Sequence, residues 1–183
     1  MKRVGLLLVL LISTILCSCG WQAKPAAPAA PSTFPAQAPD KARIVGKIIL
    51  QGRMAHGGTK VTVGDLPPVT TIFDGSYAVS NVPTGQYFIK AVRPGYLCAQ
   101  GYVTITIAGE TRTLPPVTLM AGDLNEDGQV DLFDLVRMTA AFGTQDIADP
   151  RADLTGDGKL NLFDMTLAGN NLGQTGPLVL ESP

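Results

Sequence analysis

Residues 123–134 read Asp-Leu-Asn-Glu-Asp-Gly-Gln-Val-Asp-Leu-Phe-Asp, and residues 153–164 read Asp-Leu-Thr-Gly-Asp-Gly-Lys-Leu-Asn-Leu-Phe-Asp. The two twelve-residue segments lie 30 positions apart and share their acids at positions 1, 5 and 12, a glycine at position 6 and a Leu-Phe pair at positions 10 and 11. Ca²⁺ takes hard oxygen ligands from alternate positions of such a loop, and the glycine allows the chain to turn. The sequence therefore predicts two Ca²⁺ sites.

The predicted ligands are side-chain oxygens at five positions of each loop and the main-chain carbonyl at position 7. They are Asp123, Asn125, Asp127, Gln129, Asp131 and Asp134 in the first loop, and Asp153, Thr155, Asp157, Lys159, Asn161 and Asp164 in the second. Asp131 and Asn161 would act through water. Because the hydroxyl of Thr155 is a weaker calcium ligand than an Asp or Asn oxygen, we expect weaker Ca²⁺ binding at the second site, unless the packing of the helices couples the two sites.

The sequence around the loops predicts one helix per repeat. Pro115 and Pro116 precede the first loop and Asp149-Pro150 precedes the second, which leaves no room for a helix that enters either loop. A loop followed by one exiting helix, twice in tandem, resembles a type I dockerin over about residues 121–175. The resemblance implies that the loops bind Ca²⁺ and that the helices dock onto a cohesin-like protein domain.

Helical spacing after each loop separates an inner face from a second apolar stripe. The inner face consists of Leu135, Met138, Phe142, Met165, Ala168 and Leu172, and Val130 and Leu160 close this core from the loops. The second stripe consists of Leu132, Phe133, Val136 and Ala140 in the first helix, and Leu162, Phe163 and Thr166 in the second. It is too apolar for an ordinary solvated face and is the candidate partner-binding surface.

Two observations leave open what the second apolar stripe contacts. Only residues 120–122 separate the repeats from the preceding domain, so the stripe could instead cover that domain within the same chain. Dockerins that join cellulosomes usually carry small hydroxyl residues at loop positions 10 and 11, where this chain has Leu-Phe. The class of cohesin therefore does not follow from the resemblance.

Residues 43–120 predict an antiparallel β-sandwich. Apolar residues alternate in the segments 44–48, 61–63 and 103–107, and glycine-proline turns separate them. Asp74-Gly75, between residues 70–73 and 77–79, predicts a hairpin. The string from Phe73 to Tyr77 and the string from Asn81 to Tyr87 resemble a carboxypeptidase regulatory-like domain, a transthyretin-like sandwich grouped with carbohydrate-binding-like folds. The expected fold class is mainly β plus a small α part.

The N-terminus indicates export. Residues 1–18 have the two cations and the short apolar run of a signal peptide. The sequence Leu16-Cys17-Ser18-Cys19 resembles a bacterial lipobox, which implies a lipid on Cys19 and a location at the cell envelope; a secreted soluble protein is the alternative. Residues 19–42 are an Ala/Pro-rich linker, and residues 176–183 are a tail.

Charge and composition narrow the function classes. Residues 1–120 carry 11 Lys/Arg against 4 Asp/Glu, and residues 121–183 carry 3 against 11. The sequence has no basic cluster with interleaved aromatic residues, so nucleic-acid binding is not expected. His56 is the only histidine, and the predicted sandwich has only Asp65, Asp74 and Glu110 as acids, so no catalytic pair stands out.

We therefore expect a non-catalytic, calcium-binding protein that docks onto a cohesin-bearing partner. The dockerin resemblance implies that the assembly serves extracellular polysaccharide degradation. The alternative is a carbohydrate-binding surface protein whose repeats are only structural, with Tyr77, Tyr87, Tyr96 and Tyr102 as candidate sugar-stacking residues.

Overall fold

A computed structural model describes residues 40–140, 142 and 149–180. These residues all belong to one compact unit. The predictions for residues 1–39, which include Cys19, the signal segment and most of the linker, lie outside the described residues, as do those for residues 181–183. Within the described part, a β-sandwich precedes two loop-helix repeats, which confirms the predicted fold class.

The described elements follow one another in a simple order. The strands are β1 (Ala42–Leu50), β2 (Lys60–Val63), β3 (Val69–Thr70), β4 (Ser76–Val82), β5 (Gly85–Val92), β6 (Ala99–Ile105), β7 (Thr111–Thr113), β8 (Val117–Leu119) and β9 (Leu178–Val179). The helices are α1 (Leu132–Ala140) and α2 (Leu162–Asn170), with a short 3₁₀ helix at Pro150–Ala152 between them. In the described residues, neither α-helix is long and apolar enough to cross a membrane.

The strands form two sheets whose inner faces are apolar. β4, β1 and β7 make the first sheet, and β8 continues the edge of β1 beyond β7. β3, β2, β5, β6 and β9 make the second. Alternate residues such as Ile44, Ile48, Val61, Val63 and Ile89 are buried between the sheets, as the predicted period of two requires.

Both sheets are mixed rather than purely antiparallel. β7 and β8 run parallel to β1, and β9 runs parallel to β6. Apolar alternation identifies the buried face of a strand but carries no information on the direction of its neighbour. The parallel pairs were therefore not predictable from the pattern that identified the strands.

The predicted hairpin at Asp74-Gly75 is wrong. The turn is present, since the Asp74 carboxylate accepts hydrogen bonds from the main-chain N–H and the hydroxyl of Ser76, and Gly75 has φ +88°. However, β3 before the turn pairs with β2, whereas β4 after it pairs with β1. The turn therefore carries the chain from one sheet to the other, a role that uses the same local chemistry as a hairpin.

The core of the sandwich continues into the repeats. Leu124, Leu154, Met138 and Ala168 belong to the same cluster of buried residues as the sandwich interior. Leu178 and Val179, which the sequence places in a tail, pair with β6, and Leu180 is buried beside them. The repeats and the chain after them therefore complete the packing of the sandwich.

Candidate functional site

Asp134, at position 12, organises the first loop from its buried end. Its Oδ1 accepts hydrogen bonds from the main-chain N–H groups of Leu124 (2.8 Å) and Asn125 (3.1 Å), and its Oδ2 accepts one from Asp131 (2.9 Å). These bonds tie position 12 to positions 2, 3 and 9. The loop is thus closed around a fully buried carboxylate.

The remaining oxygens of the first loop are held in local turns. Asn125 Oδ1 accepts from the N–H of Asp127 (3.0 Å), and Asp127 Oδ1 accepts from the N–H of Gln129 (2.9 Å). Asp123 Oδ2 accepts from the N–H of Gly128 at 3.2 Å. Hydrogen bonds to the main chain of the loop therefore hold the predicted side chains at positions 1, 3, 5 and 12 in place.

The second loop repeats this arrangement. Asp164 is fully buried and accepts from the N–H groups of Thr155 and Asn161, both at 2.9 Å. Asp153 accepts from three main-chain N–H groups between Gly156 and Gly158. One carboxylate oxygen from each of Asp153, Asp157 and Asp164 lies within 4.8 Å of the others. Position 3 differs, because the hydroxyl of Thr155 donates to Asp164 Oδ1 at 2.9 Å.

Glycine at position 6 is required by backbone conformation. Gly128 and Gly158 have φ +86° and +81°, in the left-handed region that residues with a Cβ rarely adopt. No atom lies within 4 Å of where a Cβ would stand at either residue. The requirement is therefore for the turn and not for space.

The donor set fits a divalent cation that prefers oxygen. Both loops supply carboxylate, amide or hydroxyl oxygens, which suit Ca²⁺ better than softer metals. In the first loop, Asp123 Oδ1 is buried and has no hydrogen-bond partner among the described residues. Burial, reinforced by Asp134 and Asp127 and opposed by the Gly128 hydrogen bond, raises the pKa of Asp123 to about 6. A bound cation would satisfy this oxygen and stabilise its charge.

The loops also fix the start of each helix. Asp131 Oδ1 accepts from the N–H of Phe133, and Asn161 Oδ1 accepts from the N–H of Phe163, both at 2.8 Å. Asn161 and Asp164 form a reciprocal capping box at the start of α2. The position-9 side chains therefore link the loop geometry to the helices that follow.

The inner face of the helices is shorter than the sequence predicts. Met138 and Ala168 are fully buried, Leu135 and Met165 are half-buried, and the loop residues Val130 and Leu160 are buried as predicted. The predictions for Phe142 and Leu172 are wrong, because both are exposed. α1 ends at Ala140 and α2 at Asn170, so the seven-residue spacing extends past the last helical turn.

The second apolar stripe is exposed along its whole length. Its members are Leu132, Phe133, Val136, Ala140, Leu162, Phe163 and Thr166. The alternative that the stripe covers the sandwich is wrong, since exposed residues do not pack against it. Phe133 and Phe163 leave 72% and 73% of their surface accessible. Each helix thus presents one phenylalanine to solvent in its first turn, at equivalent positions of the two repeats.

The contacts that join the sandwich to the second loop were not predictable from the sequence. Arg53, in the turn after β1, donates through Nε to the carbonyl of Leu154 (3.1 Å) and through a terminal N–H to the carbonyl of Asp153. The hydroxyl of Tyr96 donates to the same Leu154 carbonyl at 2.8 Å. Such long-range contacts leave no local pattern. The burial of Tyr77 and Tyr96 excludes both as sugar-stacking residues.

A second missed contact lies at the end of α2. Gln51 Oε1 accepts hydrogen bonds from Asn171 Nδ2 (2.6 Å) and from the N–H of Ala121 (3.1 Å). Asn171 Nδ2 also donates to the carbonyl of Ala121 at 2.7 Å. One glutamine of the sandwich thus connects the entry of the first repeat to the exit of the second.

Residues 121–173 match the Dockerin type I domain family, which confirms the module that the sequence predicts. Proteins of this family bind calcium. No curated protein matches the chain.

Two solved structures resemble the chain over more than the repeats. One is a chain in the crystal structure of an N-terminal interface mutant of the type II Cohesin-X-Dockerin complex from Acetivibrio cellulolyticus. It matches with a TM-score of 0.61 and 22% identity over 73% of this chain and 97% of that chain. The C-terminal interface mutant of the same complex matches with a TM-score of 0.60 and 20% identity over the same shares. At this identity the likeness concerns the fold, and it extends beyond residues 121–173.

Proposed function

We propose that this protein is an exported, non-catalytic, calcium-binding protein whose two loop-helix repeats dock onto a cohesin-like domain of a partner. The assembly would serve extracellular polysaccharide degradation. The observation that carries the proposal is the exposed Leu-Phe pair at the same position of both repeats, within a region that matches the dockerin family.

The chemistry of this surface favours a protein partner. Large apolar side chains that remain exposed in a folded domain mark interaction sites when they cluster, whereas isolated ones are common. Leu132, Phe133 and Val136 lie on one face of α1, and Leu162 and Phe163 occupy the equivalent positions of α2. Aromatic residues in the centre of an interface often contribute most of the binding free energy.

Calcium would support docking by holding the helices in place. We assign the ligands in the first loop to Asp123, Asn125, Asp127, Asp131, Asp134 and the carbonyl of Gln129, and the equivalent set with Lys159 to the second. Without a cation, each loop concentrates carboxylates that repel one another. A cation that binds only the folded form adds stability by mass action. Since Asp131 and Asn161 also hold the first turn of each helix, calcium removal is expected to disturb the docking surface.

The decisive experiment measures cohesin binding with the exposed phenylalanines altered. The soluble chain of residues 20–183 is titrated against type I and type II cohesins by biolayer interferometry, with calcium and with EGTA. The double variant Phe133→Ser, Phe163→Ser should weaken binding by at least about a hundredfold, since truncation of an interface hot-spot residue costs about 2 kcal/mol or more. EGTA should abolish binding of the unaltered chain.

Phe73 provides the matched control. It is 74% exposed and lies in the turn before β4, outside the repeats. Phe73→Ser removes the same aromatic surface and should leave the affinity unchanged. Failure to bind either class of cohesin, or equal affinities of the double variant and the unaltered chain, would contradict the proposal.

The envelope location rests on Cys19, which we propose carries a lipid. A Cys19→Ser variant expressed in its host should move from the membrane fraction to the soluble exported fraction and lose incorporation of labelled fatty acid. If the unaltered chain is exported without label, the protein is secreted and the lipid assignment is wrong.

The non-catalytic assignment has support in the sandwich. The carboxylate of Glu110 accepts hydrogen bonds from the N–H groups of Thr106 and Ile107, and that of Asp74 is bonded to Ser76. Both acids therefore stabilise turns. No hydrolysis of polysaccharides is expected from the purified chain, and release of reducing sugar that is lost after Asp65→Ala and Glu110→Ala changes would contradict the assignment.

A second candidate function is carbohydrate binding by the sandwich. Phe88 of β5 and Tyr102 of β6 are partly exposed on one face of the second sheet, with ring centroids 5.5 Å apart. Aromatic faces pack well against the apolar faces of sugars. Retention on insoluble glycans that survives EGTA but is lost in a Phe88→Ala, Tyr102→Ala variant would favour this function.

A further inference from the structure

A cleft of about 260 Å³ lies between the sandwich and the segment that leads into the second loop. Its walls consist of Arg53, Arg93, Pro94, Pro150 and Arg151. Three of these five residues are arginines, which come from the turn after β1, the turn after β5 and the short 3₁₀ helix. The cleft therefore concentrates positive charge where two parts of the fold meet.

Among the residues that the structure describes, acids pair with one of the three arginines. Arg151 forms an ion pair with Asp149 at 2.8 Å and a second with Glu126 at 3.3 Å. Two carboxylates thus balance this guanidinium, and its donors are directed to them. Arg151 closes the cleft, and its two acids are already paired with it rather than with Arg53 or Arg93.

Arg53 and Arg93 are bonded to neutral groups. Arg53 donates to two main-chain carbonyls and to the hydroxyl of Tyr96, and Arg93 donates to the carbonyl of Gly58 at 2.9 Å. Across residues 40–140, 142 and 149–180, no carboxylate lies within 4 Å of either guanidinium. The Asp153 side chain instead accepts hydrogen bonds inside its own loop.

The charges of Arg53 and Arg93 are close enough to affect one another. Burial, and then the charge of Arg53, lower the pKa of Arg93. Each guanidinium has five N–H donors, of which its neutral partners use only some. An anion in the cleft would relieve the repulsion and occupy the remaining donors.

We propose that this cleft binds an oxyanion group, either a carboxylate or a sulfate, through Arg53 and Arg93. The planar fork of a guanidinium matches two oxygens of such a group. The volume is below the roughly 300–1,000 Å³ of typical ligand pockets. It therefore suits a small free anion or one charged group of an acidic saccharide, and both sources present the same chemistry.

The test is calorimetric titration of residues 20–183, saturated with calcium, with sodium glucuronate and separately with sodium sulfate. Sodium chloride at equal ionic strength is the reference. We expect saturable binding with one site, weakened at least about tenfold by Arg93→Gln because a charge-assisted bond is lost. Lys47→Gln removes one exposed positive charge from β1 and should leave the affinity unchanged.

Arg93→Lys keeps the charge but loses the fork, so an intermediate affinity is expected, and its thermal transition shows whether the fold is intact. Binding of both anions identifies a general oxyanion site, and binding of glucuronate alone identifies an acidic saccharide. Absence of saturable binding, or equal affinity after Arg93→Gln, overturns the proposal. Cohesin binding should be unaffected by these variants, which separates this site from the docking surface.

Discussion

Arg53 donates to the carbonyl of Leu154 at 3.1 Å, so a side chain of the sandwich supports position 2 of the second loop. In the first repeat, Arg137 of α1 donates to the equivalent carbonyl of Leu124 at 3.3 Å. The residue equivalent to Arg137 in the second repeat is Leu167, which lies against the turn after β1. The sandwich thus supplies to the second loop the support that the first repeat supplies to itself.

This relationship predicts that each arginine affects the calcium affinity of one loop. Arg53→Met removes donors from the carbonyls of Asp153 and Leu154, where the second loop begins. Loss of a partner that orients a ligand typically weakens metal binding by about 10- to 100-fold. We expect a loss of at least about tenfold at the second site and none at the first, measured by calorimetric Ca²⁺ titration.

Arg137→Met is the reciprocal variant. It should weaken the first site and leave the second unchanged, with a smaller effect because it removes one hydrogen bond of 3.3 Å. Equal losses at both sites in either variant would show that the two loops respond as one unit, contrary to this prediction.

The two loops differ at position 3, and this residue is expected to make their calcium affinities different. The Thr155 hydroxyl is an uncharged, weak calcium ligand, and it donates a hydrogen bond to Asp164 Oδ1 at 2.9 Å. Asn125 in the first loop offers an amide oxygen at the same position. Thr155→Asn is therefore expected to increase the calcium affinity of the second site severalfold and bring it close to that of the first. Equal calcium affinities of the two sites in the unaltered chain would contradict the expectation that Thr155 weakens the second site.

Much of the site could be predicted because its information is local. The twelve-residue spacing encodes the two loops, and the Leu-Phe pairs follow from the same register. The burial of Met138 and Ala168 follows from helical spacing alone. The predicted burial of Phe142 was wrong because helical spacing does not tell where a short helix ends, and α1 ends two residues before Phe142.

The rest depends on contacts between distant segments. Gln51 and Asn171 are 120 residues apart, and nothing near either one indicates the other. Strand β9 has only two residues, too few for a period of two to be recognised, and its pairing with β6 gives it its structure. The Asp74-Gly75 turn has the sequence of a hairpin, but its two strands find their partners in different sheets.

The buried carboxylate of Asp123 predicts that Asp123→Asn raises the thermal stability of the metal-free chain and lowers that of the calcium-loaded chain. With a pKa raised to about 6, this acid binds its proton more tightly in the folded, metal-free chain than in the unfolded one. It therefore lowers the stability of the metal-free chain as pH rises from about 4 to about 6, and the full penalty remains above that range.

Asp123→Asn removes this penalty and keeps an oxygen that can accept from Gly128. In EGTA at pH 7 the variant should melt several degrees above the unaltered chain, since one pKa unit corresponds to about 1.4 kcal/mol. At pH 4 the difference should vanish. In saturating calcium the order should reverse, because the variant lacks a charged ligand. A variant that is less stable in EGTA at pH 7 would refute this account.

The chain after α2 is predicted to be part of the folded domain. Leu180 is 2% exposed, its N–H donates to the carbonyl of Gln100 at 2.8 Å, and it lies against Gly101 of β6. Leu180→Ala should lower the free energy of unfolding by about 2–5 kcal/mol, because it removes a buried side chain and leaves a cavity. Val179, which is 64% exposed, is the matched control, and Val179→Ala should change stability by less than about 0.5 kcal/mol. Urea unfolding in saturating calcium measures both, and equal effects of the two variants would show that Leu180 does not contribute to the core.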